Sequence, residues 1–123
     1  MAGFREIFEA YGADYGETMG RFMGNEAMYL RLMEMLFADD NLQKLGSSLE
    51  ADDLKGAFEA AHALKGVVGN MGLTPLYKAV CTIVEPLRAR ETRDDYMALF
   101  EEIREEFQKA DELRAKLKGG AQA

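Results

Sequence analysis

Residues 53–72 read DLKGAFEAAHALKGVVGNMG, and their apolar positions gather on one face of an α-helix. Stepping about 100° per residue from His62, the side chains of Leu54, Ala57, Ala60, Ala61, Leu64, Val67, Val68 and Met71 fall in one arc centred roughly 150° to 160° away. That arc is the expected buried face, so His62 points to solvent. Asp52 or Asp53 can cap the helix by accepting from its first free N–H groups, and Gly72 can end it, because glycine tolerates the left-handed turn that closes many helices. Within about 60° of His62 lie Lys55, Phe58, Glu59, Lys65, Gly66 and Gly69. Each mid-helix glycine costs about 1 kcal/mol relative to alanine, so two on an outward face ask for a reason. Room for a partner's backbone is one. The competing account is that the N-terminal helix lies over this surface.

The same periodicity extends in both directions. Phe4, Ile7, Phe8 and Tyr11 form a short amphipathic helix over residues 3–11, ended by Gly12. Residues 13–24 carry Gly16, Gly20 and Gly24 and are expected as turns, with one or two helical turns around Met19 and Phe22. Asn25 then caps a long helix in which Met28, Leu32, Met35, Leu36, Leu42 and Leu45 recur at helical spacing to about Leu49. Thr74 followed by Pro75 reads as a helix start, and that third helix runs to about Arg90. Pro86 is expected to kink it, since proline cannot donate to the carbonyl of Thr82. Thr92 with Asp95 is a capping-box variant opening a fourth helix, with Tyr96, Leu99, Phe100, Ile103, Phe107, Leu113 and Leu117 inward. Short connections make sequential helices antiparallel. The expected fold is all-α: an antiparallel up-down-up-down four-helix bundle with an additional short N-terminal helix. One domain covers 1–117, its bundle spanning about 25–117, and 118–123 form a flexible tail.

Composition removes several functions. A net charge of −7 over 123 residues opposes nucleic-acid binding, which needs a clustered basic surface. No apolar run approaches the roughly 18 residues of a membrane span, and the N-terminus lacks the apolar core of a secretory signal; a cytoplasmic monomer is expected. The single Cys81 has no internal disulfide partner and suits a small buried hydrophobe. Glu59-Ala-Ala-His62 has the spacing of di-iron bundle ligands, but such sites need two pairs and the chain has one histidine; no metal site is expected. No serine or cysteine lies near His62 in sequence and no phosphate-cradling loop follows a strand, which leaves no hydrolase triad and no ATP site.

What remains is an outward imidazole, a nucleophile near neutral pH in its uncharged form. Lys65, one turn on, can neutralise phosphoryl oxygens, and Phe58, one turn back, can supply an apolar docking contact. Glu59 can hold the Nδ1 hydrogen and free Nε2 to attack, or stand as an ordinary solvated glutamate. The alternative is a non-catalytic helical interaction module, which the methionines at 19, 23, 28, 33 and 35 favour through their adaptable packing.

The run Ala61-His62-Ala63-Leu64-Lys65-Gly66, followed by Gly69-Asn70-Met71-Gly72, resembles the signature of histidine-containing phosphotransfer (HPt) domains of two-component phosphorelays. Leu76, Cys81, Val84 and Glu85 look like its continuation into the next helix. The resemblance implies that His62 accepts the phosphoryl group through Nε2, that Lys65 assists it, and that Gly66 and Gly69 clear space for a receiver domain. Lys55, Phe58 and Glu59 complete the expected docking surface. The implied partners are response-regulator receiver domains and a sensor or hybrid histidine kinase. The implied cofactor need is none, the Mg²⁺ arriving with the receiver. Val68, Leu73 and Pro86 depart from the family pattern; the first should alter packing and the last the shape of the docking edge.

Overall fold

The computed structural model describes residues 3–122; Met1, Ala2 and Ala123, placed by the sequence at the ends of the domain and its tail, lie outside them. Among the described residues there are seven helices and no strand: α1 (Phe4–Tyr11), α2 (Tyr15–Arg21), α3 (Glu26–Ala38), α4 (Asn41–Glu50), α5 (Leu54–Asn70), α6 (Thr74–Arg88) and α7 (Tyr96–Gln122). The chain is all-α, as its periodicity requires. Helix α5 packs between α4 and α6, and α7 closes the ring against α6, α4 and α3. Loops of three residues, 51–53 and 71–73, join α4 to α5 and α5 to α6; such short connections between packed helices reverse the chain.

The first long helix expected from the sequence is two helices. Asp39 adopts an extended ψ of 150°, and its carboxylate accepts from the Asn41 backbone N–H at 3.1 Å and from the Asn41 amide at 2.6 Å. Side chains that offer the backbone such local partners compete with helical hydrogen bonds, so the Asp39–Asn41 stretch breaks α3 from α4. Other boundaries also move. Leu73, not Thr74, precedes the first turn of α6, which has no side-chain cap. The Asp95 carbonyl accepts from Leu99, so α7 begins at Tyr96 and Thr92 caps nothing. The Asp95 carboxylate is taken instead by the Arg93 guanidinium at 2.8 and 2.7 Å. At the other end, residues 118–122, expected as tail, lie within α7. Pro86 sits two residues before the end of α6; its missing N–H therefore falls in the last turn, and the helix continues past it to Arg88.

The N-terminal segments hold the far end of α5. Helix α1 lies against α7 and α2, with Phe4 and Phe8 buried in an aromatic group that includes Tyr15 and Tyr29. The residues between α1 and α3, expected mainly as turns, include α2, capped by the Asp14 carboxylate accepting from Glu17 at 3.0 Å. From the last residue of α2, the Arg21 guanidinium donates to the carbonyls of Gly69 and Asn70 at 3.0–3.3 Å, and from α3 the buried Tyr29 hydroxyl donates to Met71 at 2.6 Å. Carbonyls at a helix C-terminus lack intrahelical donors, and here two other helices supply them. The helix that carries His62 is thereby fixed at its end.

Burial also makes the fold alkali-sensitive. Desolvation, with a further push from the Glu106 carboxylate, raises the Tyr11 hydroxyl from 10.0 to about 12, and burial raises Tyr29 as well. With the folded pKa above the unfolded one, the associated stability is whole below pH 10 and is lost as pH rises towards 12. We expect the urea midpoint to fall across that window, with part of the tyrosine absorbance change at 295 nm, that of Tyr11 and Tyr29, appearing only on unfolding. A midpoint unchanged between pH 10 and pH 12 would contradict the burial of these hydroxyls.

Candidate functional site

Along α5 the buried residues are Ala57, Ala60, Ala61, Leu64 and Val68, a stripe at helical spacing that leaves His62 exposed on the opposite side. Leu54 is half-buried and Val67 is 42% exposed, so the edge of the expected buried face is narrower than the sequence suggests. Helix α1 packs on α7 and α2 rather than over this surface, which disposes of the account in which the first helix fills the space beside the glycines.

The two glycines differ. A Cβ on Gly66 would meet nothing within 4 Å, whereas one on Gly69 would come to 3.0 and 3.1 Å from the Tyr77 ring of α6. Gly69 therefore serves internal packing against the neighbouring helix, and only Gly66 leaves bare backbone beside His62. Replacing Gly66 with alanine should stabilise the fold by about 0.5–1 kcal/mol, while Gly69→Ala, which forces Tyr77 aside, should not. Urea unfolding of both variants tests this; a less stable Gly66→Ala protein would show that its outer face is occupied.

The imidazole stacks on Phe58, with ring centroids 5.4 Å apart and planes at 22°. Phe58 does not stand free as a docking knob. It is half-buried, with the guanidinium carbons of Arg88 and Arg90 at 5.0 and 5.2 Å from its ring centre. Glu59 and Lys55 are exposed and Lys65 is half-exposed. Among the described residues no hydrogen bond joins Glu59 to His62, and neither Lys55 nor Lys65 has an ion-pair partner. The expected role of Glu59 in orienting the ring thus lacks a contact here, and both lysines are available to an incoming anion.

Beside His62 an open groove of about 610 Å³ runs between α5 and the α3–α4 break, lined by Leu32, Met35, Gly66, Val67 and Asn70. Met35 is 66% exposed although its spacing assigned it to the core; the break after Ala38 separates α3 from α4 beside it. Sequence reasoning missed this groove, and it missed Arg88 and Arg90, which reach Phe58 from the end of a different helix. Only the apolar character of Met35 and Val67 hinted at the former. Cys81, expected to be buried, is partly exposed.

A family model described as the Hpt domain matches residues 31–115, more than half of the 123-residue chain. The chain belongs to the Hpt domain family. The match starts within α3 and ends within α7, so it takes in all of α4, α5 and α6 with parts of α3 and α7, and omits α1 and α2. Hpt domains are phosphoryl carriers of phosphorelays, which work with receiver domains and histidine kinases rather than through an ATP site of their own, and that general role attaches to this chain. No curated protein and no solved structure matches it. No helix among the described residues of this Hpt domain is long and apolar enough to cross a membrane.

Proposed function

We propose that this Hpt domain carries its phosphoryl group on His62, accepting it from a receiver-domain aspartate or a histidine kinase and passing it to a response-regulator receiver aspartate. The observation that carries the reading is the exposed imidazole at the centre of a helix otherwise fixed on both flanks and at its end, with open backbone at Gly66 one turn away. In the forward step the Nε2 lone pair attacks phosphorus in line, an N–P bond forms, and the acyl P–O bond breaks to release the receiver's aspartate as carboxylate; Nδ1 keeps its hydrogen. The reverse sequence delivers the group to another receiver. Lys65, three residues on and on the same face, offers an unpaired ammonium to the phosphoryl oxygens.

Docking falls to the surface around the ring. Gly66 admits the receiver's backbone, Lys55 and Glu59 lie at its margin, and the groove edged by Met35 and Val67 accepts apolar side chains. Gly69 acts indirectly, by letting Tyr77 close against α5. The Mg²⁺ belongs to the receiver's own carboxylates, and this chain needs no cofactor.

The test is a chase. Incubated with a phosphorylated receiver, the protein should acquire an acid-labile, base-stable label, then lose it to a second, unphosphorylated receiver. Absence of label from a panel of receivers and kinases would instead favour a helical interaction module.

A further inference from the structure

The contacts around Phe58 are not explained by packing alone. An exposed mid-helix side chain ordinarily samples several rotamers, but the His62 ring has a stacking neighbour on its own helix. That neighbour is Phe58, at the i−4 position on the same face, with the two rings stacked at 5.4 Å and 22°. Phe58 is itself held from α6, where Arg88 and Arg90 bring their guanidinium groups to 5.0 and 5.2 Å from its centre. Arg90 has a positive φ of 55°, and its guanidinium donates to the Leu87 carbonyl at 2.7 Å. Arg88 is tied to Glu85 at 3.2 Å. Each arginine of this clamp thus has a second partner besides the Phe58 ring.

We propose that Phe58 is a positioning residue for phosphoryl transfer, presenting its ring face to the His62 imidazole while Arg88 and Arg90 hold Phe58 in place from the end of α6. The proposal rests on the reading of His62 as the phosphoacceptor. Restricting the ring to one orientation keeps the attacking nitrogen aligned with the incoming phosphorus, the kind of preorganisation that is lost when the nucleophile wanders.

The probe is phosphoramidate, which needs no protein partner: the His62 N–P bond forms as the donor's own P–N bond breaks and ammonia leaves. Labelling is followed at saturating donor in the wild type, Phe58→Leu, Phe58→Tyr and His62→Gln, alongside NMR of the carbon-bound imidazole protons. Leucine covers apolar surface but has no ring face; tyrosine keeps the face. Phe58→Leu should label about tenfold more slowly with its imidazole protons shifted downfield as shielding is lost, and Phe58→Tyr should restore both. Labelling at the wild-type rate in Phe58→Leu, or unmoved imidazole protons, would overturn the proposal alone. A wild type that takes no label on His62 would overturn the phosphoacceptor reading and this proposal with it, and would be told apart by the proton shifts still responding to Phe58→Leu. If Phe58→Leu does not fold, the Arg88→Gln/Arg90→Gln pair replaces it, both side chains being exposed. That pair should slow labelling at saturating donor and shift the same protons. An effect confined to the donor concentration needed for half-saturation would mean the arginines attract anions and do not position the ring, which would overturn the clamp.

Discussion

His62→Gln is expected to abolish labelling from a phosphorylated receiver, leaving less than about one-thousandth of the wild-type rate, as removal of a covalent nucleophile does elsewhere. Glutamine keeps a polar, hydrogen-bonding side chain of similar reach, but its amide nitrogen has no available lone pair with which to attack phosphorus. The fold should not notice. His62 is exposed and its ring stacks on Phe58, and exposed substitutions of this kind ordinarily change stability by no more than about 0.5 kcal/mol. Matched urea curves with unmatched labelling are therefore the expected pair of results. Label that persists in His62→Gln would move the acceptor to another residue, and its chemistry would say which kind: label labile in both acid and base points to a carboxylate, acid-stable label to a hydroxyl. Loss of labelling accompanied by loss of folding would be equally informative, since it would mean that His62 is not the outward side chain described here.

That outward direction was legible because it depends only on helical geometry and on small apolar residues recurring along residues 57–68. Ala57, Ala60, Ala61, Leu64 and Val68 are as buried as their spacing requires, and no other arrangement of this helix could hide them all. The helix stop at Gly72 was legible for a similarly local reason. What escaped was set by apposition between segments distant in sequence. Gly69 looked outward by angle, yet the Tyr77 ring of the next helix fills its space, and nothing in residues 53–72 encodes the ring's path. Phe58 looked like a free apolar contact because Arg88 and Arg90 meet it only after α6 has turned back along α5 and Arg90 has entered a left-handed conformation. The break at Asp39 is a middle case. Its residues, Ala38-Asp39-Asp40-Asn41, carry short polar side chains that compete for backbone groups, but the apolar spacing of Leu36, Leu42 and Leu45 passes across them and masks the interruption.

Gly72→Ala should be the most damaging single-methyl change near the site, costing about 2–5 kcal/mol of stability from two terms of comparable size. The first is conformational: Gly72 has φ of +68°, where a Cβ costs roughly 1–2 kcal/mol. The second is steric. An added Cβ would overlap the Thr18 hydroxyl oxygen and lie 2.9 and 3.0 Å from the remaining side-chain atoms of Thr18, and Thr18 is 2% exposed, so the clash is with a buried side chain. Overpacking of this kind typically costs about 1–3 kcal/mol. Relief by movement would have to displace α2, and with it the Arg21 guanidinium that satisfies the last carbonyls of α5. Thr18→Ala separates the terms. Combined with Gly72→Ala it should recover most of the steric cost and none of the conformational cost, giving a coupling energy of about 1–2 kcal/mol for residues in direct contact. Strict additivity would show that α2 does not press on this turn. Because His62 lies ten residues before Gly72, which stands in the loop just past the end of α5, transfer per folded molecule should stay near the wild-type value. Activity should therefore decline only as the folded fraction declines, and a Gly72→Ala protein that is fully folded yet slow to transfer would show that the end of α5 and the ring of His62 are mechanically coupled.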